Sequence, residues 1–220
     1  MAGGVPSALT DILRRQHDVV SREQALAAGM TVSALWHRVR PAGAWRAIVP
    51  GVYLTHAGTP GTAQREMAAL LHAGEGSVIT GTAALIRHGI QVPHAETIDV
   101  LVPASRIRRS TGFVRISRSA RMPERTWADG PLVYAMPARA LADLARSLTG
   151  QGEVQTIVAG AVRSGGCTVG QLAEELGNGP IRGSALLRRV LADLPEHAEP
   201  APGRARLSAR YRTVSGRNHV

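Results

Sequence analysis

Apolar residues recur along this chain at two spacings, and the switches between them mark out its elements. Residues 8–16 place Leu9, Ile12 and Leu13 on one face of a helix. Ser21, with Gln24 three residues on, carries the capping-box signature of a second helix, and Gly29 is positioned to end it. Thr31 or Ser33 can cap a third helix. In it Val32, Leu35, Trp36 and Val39 recur at i, i+3, i+4 and i+7, which predicts one buried stripe. Ser33, His37, Arg38 and Arg40 fall off that stripe, toward solvent. Pro41 and Gly43 stop the helix, and Trp45 to Leu54 carries β-prone residues around a Pro50-Gly51 turn. Two helices, a tight glycine turn, a third helix and a hairpin within residues 1–57 predict a winged helix-turn-helix.

Residues 62–73 read as a helix capped by Thr62, with Met67, Leu70 and Leu71 inward. A turn and a helix near 80–88 follow. Alternation predicts strands near 96–102 and 112–118, with a shorter one at Leu132–Tyr134. Pro137 suits the first turn of a helix whose buried stripe is Leu141, Leu144, Ala145 and Leu148. Together these make a mixed α/β middle domain, 58–150. The segment 151–195 is helical in period: Val154, Ile157, Val158, Ala161 and Val162 share one face, Thr168 with Gln171 forms another capping box, and Ser184 caps a last helix bearing Leu187, Val190, Leu191 and Leu194. Residues 196–220 lose periodicity and are rich in Pro, Arg and polar residues, which reads as a disordered basic tail. The expected fold class is α+β: an N-terminal winged helix-turn-helix, a mixed α/β middle domain and a helical C-terminal segment.

Charge adds a function to this plan. The chain of 220 residues carries a net charge of +10 and has no Lys, so all 26 cationic side chains are Arg. From Gln24 to Arg65 there are four Arg and no acid, and from Val100 to Pro123 six Arg and no acid. Arg clusters free of carboxylates are an electrostatic footprint for a polyanion. The major groove of DNA admits one α-helix, and a buried stripe would hold the third helix against the first two while its other face lies in the groove. On this reading Thr31, Ser33, His37 and Arg38 face base edges or phosphates, and Arg40 and Arg46 hold phosphates. Arg108, Arg109, Arg115 and Arg118 either extend a nucleic-acid surface or solubilise a sheet face. The expected partner is double-stranded DNA, bound by a homodimer as specific sites usually are.

Other chemistries find little support. A phosphate loop of the Walker type needs a Lys. His94, Glu96 and Asp99 are the densest cluster of metal-ligating types, but Glu96 and Asp99 point to opposite faces of one strand, which reads as a polar strand edge. Cys167, the sole cysteine, sits among glycines with no His nearby in sequence to act as a base. Arg139 and Asp143, one helical turn apart, read as a structural pair. A single cysteine rules out an internal disulfide and fits a reducing compartment. There is no secretory leader pattern and no apolar run near the roughly 20 residues of a membrane span. The chain is expected to be cytoplasmic, with no membrane association, no cofactor, no metal and no catalytic residues.

The stretch REQALAAGMTVSALWHRVRPAGAWRAIVPGVYL resembles the N-terminal winged-helix domain of AbiEi-type antitoxins, from the abortive-infection type IV toxin–antitoxin systems. GPLVYAMPARALADLAR resembles the same family's strand followed by a Pro-Ala-Arg-x-x-x-Asp-Leu helix. The two lie in the family's order, and the likeness spans about residues 8–195. It implies a DNA-binding regulator that represses its own promoter and opposes a cognate nucleotidyltransferase-type toxin, functionally and not necessarily by contact. Similar actinobacterial proteins often continue into a domain resembling very-short-patch-repair endonucleases. That domain is expected to be absent here: an acidic-x-Lys element cannot form without Lys, and the Arg-rich tail after Pro195 is either native or a frameshifted remnant. Two alternatives stay open, the targeting part of an endonuclease and a protein-interaction module that grips a toxin.

Overall fold

A computed structural model describes residues 6–194, so the tail expected at 196–220 lies outside the described residues. The first six elements are α1 (Ser7–Arg15), β1 (Val19–Ser21), α2 (Arg22–Ala27), α3 (Val32–Val39), β2 (Arg46–Val49) and β3 (Val52–Leu54). Strand β3 lies between β1 and β2 and is antiparallel to both. Ser21 caps α2 as expected: its hydroxyl accepts from Gln24 N–H at 3.1 Å, and Gln24 Oε1 accepts from Ser21 N–H at 3.1 Å. Gly29 has φ +97°, the left-handed turn that lets α2 and α3 follow each other closely. Strand β1 is an element the sequence did not announce. Two valines before a helix cap are too short to show alternation, and only pairing of Val19 with Leu54 and Val20 with Tyr53 makes them a strand.

The small sheet has two apolar faces. Val20 and Tyr53 join Leu9, Leu13, Ala25, Met30, Leu35 and Trp45 in a helical core. Val19, Val49, Val52 and Leu54 face the other way, into the main core, where α4 (Thr62–Ala73) lies across them. Helix α4 begins one residue earlier than a Thr62 cap would have it. Gly61 holds the cap position, and Gln64 Oε1 accepts its N–H at 3.0 Å.

Beyond α4 come β4 (Val78–Thr80), α5 (Gly81–Arg87), β5 (Ile98–Pro103), β6 (Val114–Ser119), β7 (Thr126–Asp129), β8 (Leu132–Ala135) and α6 (Pro137–Ala145). The five strands form a mixed sheet in the order β6-β5-β4-β8-β7. β5 runs parallel to β6 and β4 parallel to β8, while β4–β5 and β7–β8 are antiparallel. Strand β4 stands where the sequence predicts a turn. It spans three residues flanked by glycines, and its identity comes from pairing with both neighbours. Helix α4 also packs on this sheet, so it is shared by the two halves of the chain. Its Glu66, 1% exposed, accepts from Arg87 Nε at 3.1 Å and from the Tyr134 hydroxyl at 2.9 Å. Burial, and then the Glu66 charge, hold the Tyr134 phenol far above its ordinary range.

Helices α7 (Gln151–Arg163), α8 (Val169–Asn178) and α9 (Ala185–Ala192) pack against each other and against α6. Val154, Ile157, Leu172 and Leu187 belong to the same core as the five-stranded sheet. Thr168 and Gln171 make the second capping box. Ser184 stands before α9, but its hydroxyl donates to the Ile181 carbonyl at 2.7 Å and accepts from Arg188 Nε at 3.0 Å. It therefore braces a turn and does not cap the helix. Cys167 is buried in the same core, and desolvation pushes its thiol up to about 12, which keeps it neutral at physiological pH. No helix among the described residues is long and apolar enough to cross a membrane.

Candidate nucleic-acid interface

Helix α3 starts at Thr31, whose hydroxyl accepts the Ala34 N–H at 3.1 Å. The cap removes one of the unsatisfied donors of the first turn. Thr31 is exposed, but its side-chain oxygen is engaged in this cap. Ser33, in the first turn, and His37, in the last, are both exposed. Arg40 follows as an exposed C-cap residue in extended backbone, and Arg46 opens β2, also exposed. These four reach solvent from one helix and the strand beside it.

Arg38 departs from expectation. It is half-buried, and its guanidinium lies over the Trp45 ring, 5.5 Å from the centroid. The predicted stripe is also rotated. Leu35 is 3% exposed, as expected, but Val32 is 60% and Trp36 58% exposed. The cause is the turn after the helix. Ala42 takes φ +64°, Gly43 N–H donates to the Arg40 carbonyl at 2.8 Å, and Trp45 N–H donates back to the Arg38 carbonyl at 2.8 Å. This folds Trp45 under α3, where it is 5% exposed and fills the helical core. The inner face of α3 therefore turns toward Leu35, Ala34, Arg38 and Val39, and Trp36 and Val32 turn outward. Periodicity alone could not choose, because apolar residues flank Leu35 on one side and Arg38, a long side chain that can bury its stem, sits on the other. The Trp36 ring meets the His37 ring edge-on at 5.1 Å. The outer surface of α3 thus combines two apolar side chains, Ser33, His37 and Arg40, and none of its neighbours from Gln24 to Arg65 is acidic.

The second basic group is dispersed. Arg108 and Arg109 are exposed on the connection between β5 and β6, where the Arg109 carbonyl accepts from His72 Nε2 at 3.0 Å. Arg115, on β6, forks onto both Asp99 oxygens from the neighbouring strand, and that bonding raises its already high pKa. It is committed to the sheet. Arg118, three residues on and so on the opposite face of the same strand, is exposed and forms no side-chain hydrogen bond or ion pair among the described residues. His94, Glu96 and Asp99 do not converge: among the described residues no group of three or more His, Cys, Asp or Glu is arranged to hold a metal ion.

An α+β chain with an Arg-bearing helix and hairpin at one end, and a mixed sheet backed by helices at the other, defines the class before any comparison is made. The family model for the AbiEi antitoxin C-terminal domain matches residues 76–193, from the approach to β4 through α9. That is more than half of the chain, and the chain belongs to the AbiEi antitoxin family. No curated protein matches it. The crystal structure of the RV2827C protein from Mycobacterium tuberculosis aligns with a TM-score of 0.56 at 15% identity, covering 89% of this chain and 78% of that one. At that identity the likeness is one of fold.

Proposed function

We propose that this chain is a sequence-specific DNA-binding transcriptional regulator of the antitoxin type, acting in the cytoplasm as a homodimer and repressing its own promoter. The observation that carries the reading is the outer surface of α3: Ser33, His37 and Arg40 beside Arg46 of β2, within an acid-free stretch. Three helices and a three-stranded antiparallel sheet in the order seen here suit a winged helix, with α3 as the recognition helix and β2–β3 as the wing. Membership of an antitoxin family supports a cognate toxin as functional partner. Thr31 and Arg38 take supporting parts on this reading. Thr31 fixes where the helix begins, and Arg38 stiffens the turn through Trp45.

A mobility shift on the gene's own upstream region tests it. About five phosphate contacts give a log K against log salt slope near −4 to −5. Arg40→Ala and Arg46→Ala are each expected to weaken the shift and to reduce that slope by about one. Unchanged binding in the double variant would remove α3 and β2 from the interface. A second reading has one observation in its favour: exposed Val32 and Trp36 make an apolar pair of the kind that anchors protein interfaces. A toxin held through that pair would bind with a salt slope near zero.

A further inference from the structure

A cleft of about 410 Å³ opens between the ends of β5 and β6 and helix α6, remote in sequence from α3. Four arginines, Arg115, Arg121, Arg139 and Arg146, stand on its side of the fold against the carboxylates of Asp99 and Asp143, while Arg118 borders it from the opposite face of β6. Glu175 of α8 reaches Arg121 from behind and makes a third carboxylate. Four cations against three anions leave an excess of one positive charge.

The arginines are not equivalent. Arg139 is fully spent: Nε donates to Asp143 at 2.9 Å, one Nη to the Arg121 carbonyl at 2.9 Å and the other to Ser119 Oγ at 3.2 Å. Asp143 is held in turn by Thr80 Oγ1 at 2.8 Å and Arg146 Nη1 at 3.2 Å. This buried frame pins the end of β6 to α6 and fixes the cleft's rear wall. Arg118, which leaves β6 on the opposite face, takes no part in this frame. Arg121 and Arg146 are only partly engaged: each keeps a buried Nε–H with no acceptor. An unmet guanidinium donor is costly unless something accepts from it. The Arg139–Asp143 pair, legible in the sequence as structural, is thus the support for a site and not the site itself.

We propose that this cleft binds a phosphate monoester of a small organic molecule, of about the size of a nucleoside monophosphate. The excess of positive charge attracts a phosphate, and planar guanidinium forks suit its oxygens. Ser117 and Ser147 add hydroxyl donors on the lining. The volume lies in the range of about 300–1,000 Å³ typical of ligand pockets, which exceeds what a bare phosphate needs. Leu101, Ala120 and Pro180 form an apolar wall for the remainder of the molecule. Arg121 and Arg146 hold the phosphate, and a modest swing of each turns its Nε–H group to the oxygens.

Isothermal titration of the full chain tests this without DNA, using inorganic phosphate and adenosine 5′-monophosphate as probes in chloride buffers of matched ionic strength. The expected result is saturable binding of one probe per chain, weakened about tenfold or more by Arg121→Ala and by Arg146→Ala and unchanged by Arg40→Ala. Circular dichroism of each variant checks that it is folded; Arg139 is left intact for that reason. Absence of saturation up to about 10 mM of either probe overturns the proposal, as does saturable binding that both substitutions leave untouched. If the same two variants lose affinity for upstream DNA while neither free probe binds, the small-ligand site is overturned and these arginines belong to the DNA contact. Because Arg40 lies outside the cleft, its variant separates failure of this site from failure of the regulator reading.

Discussion

Trp36 and Trp45 stand nine residues apart with opposite fates, and that contrast gives a sharp test. Trp36→Ala removes a side chain that is 58% exposed and is expected to change unfolding free energy by less than about 0.5 kcal/mol. On the proposed function it lowers affinity for upstream DNA about tenfold, through lost apolar contact with base edges. Trp45→Ala empties the core beneath α3 and is expected to cost about 3–5 kcal/mol. Chemical denaturation with a parallel mobility shift separates the two effects. His88 offers a second test at this scale. It is buried against Trp127, with Nε2 donating to the Ala135 carbonyl at 2.9 Å, and desolvation lowers its pKa below the ordinary 6.5. The folded chain therefore refuses a proton that the unfolded chain accepts. Stability is full above about pH 6.5 and is lost as pH falls from there through the lowered value. His88→Gln, which keeps a donor for Ala135, is expected to flatten the stability profile below about pH 6.5 in thermal unfolding.

Among the elements, the turn 40–45 decides how α3 is presented. A Cβ on Gly43 would lie 2.2 Å from the Arg38 carbonyl oxygen, a collision with backbone that no rotamer relieves. Gly43→Ala is expected to open the turn, release Trp45 and destabilise the chain by about 2–4 kcal/mol, read by urea unfolding, and on the proposed function to abolish the mobility shift. Gly130→Ala, in a β7–β8 turn with φ +59° but nothing near its Cβ position, is a control that carries backbone strain alone. This scale also shows what could be read from the residues. Caps and long periodic helices were legible: the Ser21–Gln24 and Thr168–Gln171 boxes formed as spaced, and the strands around Val100 and Ile116 appeared within a few residues of expectation. Three-residue strands β1 and β4 were not, because their identity lies in partners far along the chain. The rotation of α3 was hidden for a related reason: it is set by Trp45, which lies outside the helix whose stripe was being read. The exposure of Arg40 and Arg46 was legible from the acid-free stretch around them, the half-burial of Arg38 was not, and neither was the frame behind Arg121 and Arg146, since it joins β4, β6, α6 and α8 across the fold.

For the whole molecule, α4 is the element that joins the halves. Its Met67, Ala68, Leu70 and Ala73 are buried in the core that holds Val19, Val49, Val52 and Leu54 from the small sheet and Ile79, Val100 and Tyr134 from the large one. A fragment ending at residue 57 exposes the rear face of the small sheet. It is expected to lack a cooperative melting transition, while the full chain melts in one step, checked by calorimetry. Two transitions in the full chain, with a stable 1–57 fragment, would mean that the halves fold independently. A single transition would also make DNA bound at α3 stabilise the family-matching half, since whatever favours the folded state favours all of it.

The outermost position of β6 has its own consequence for assembly. An edge strand offers unpaired N–H and C=O groups to any second copy that can align with it. Here Ser110 Oγ already takes the Ile116 N–H, and Arg118 projects beside it. Two such rims brought together would confront like charges across a ladder short of one rung. Self-pairing through that side of the sheet is therefore disfavoured, and a twofold assembly has to be sought on surfaces elsewhere in the chain.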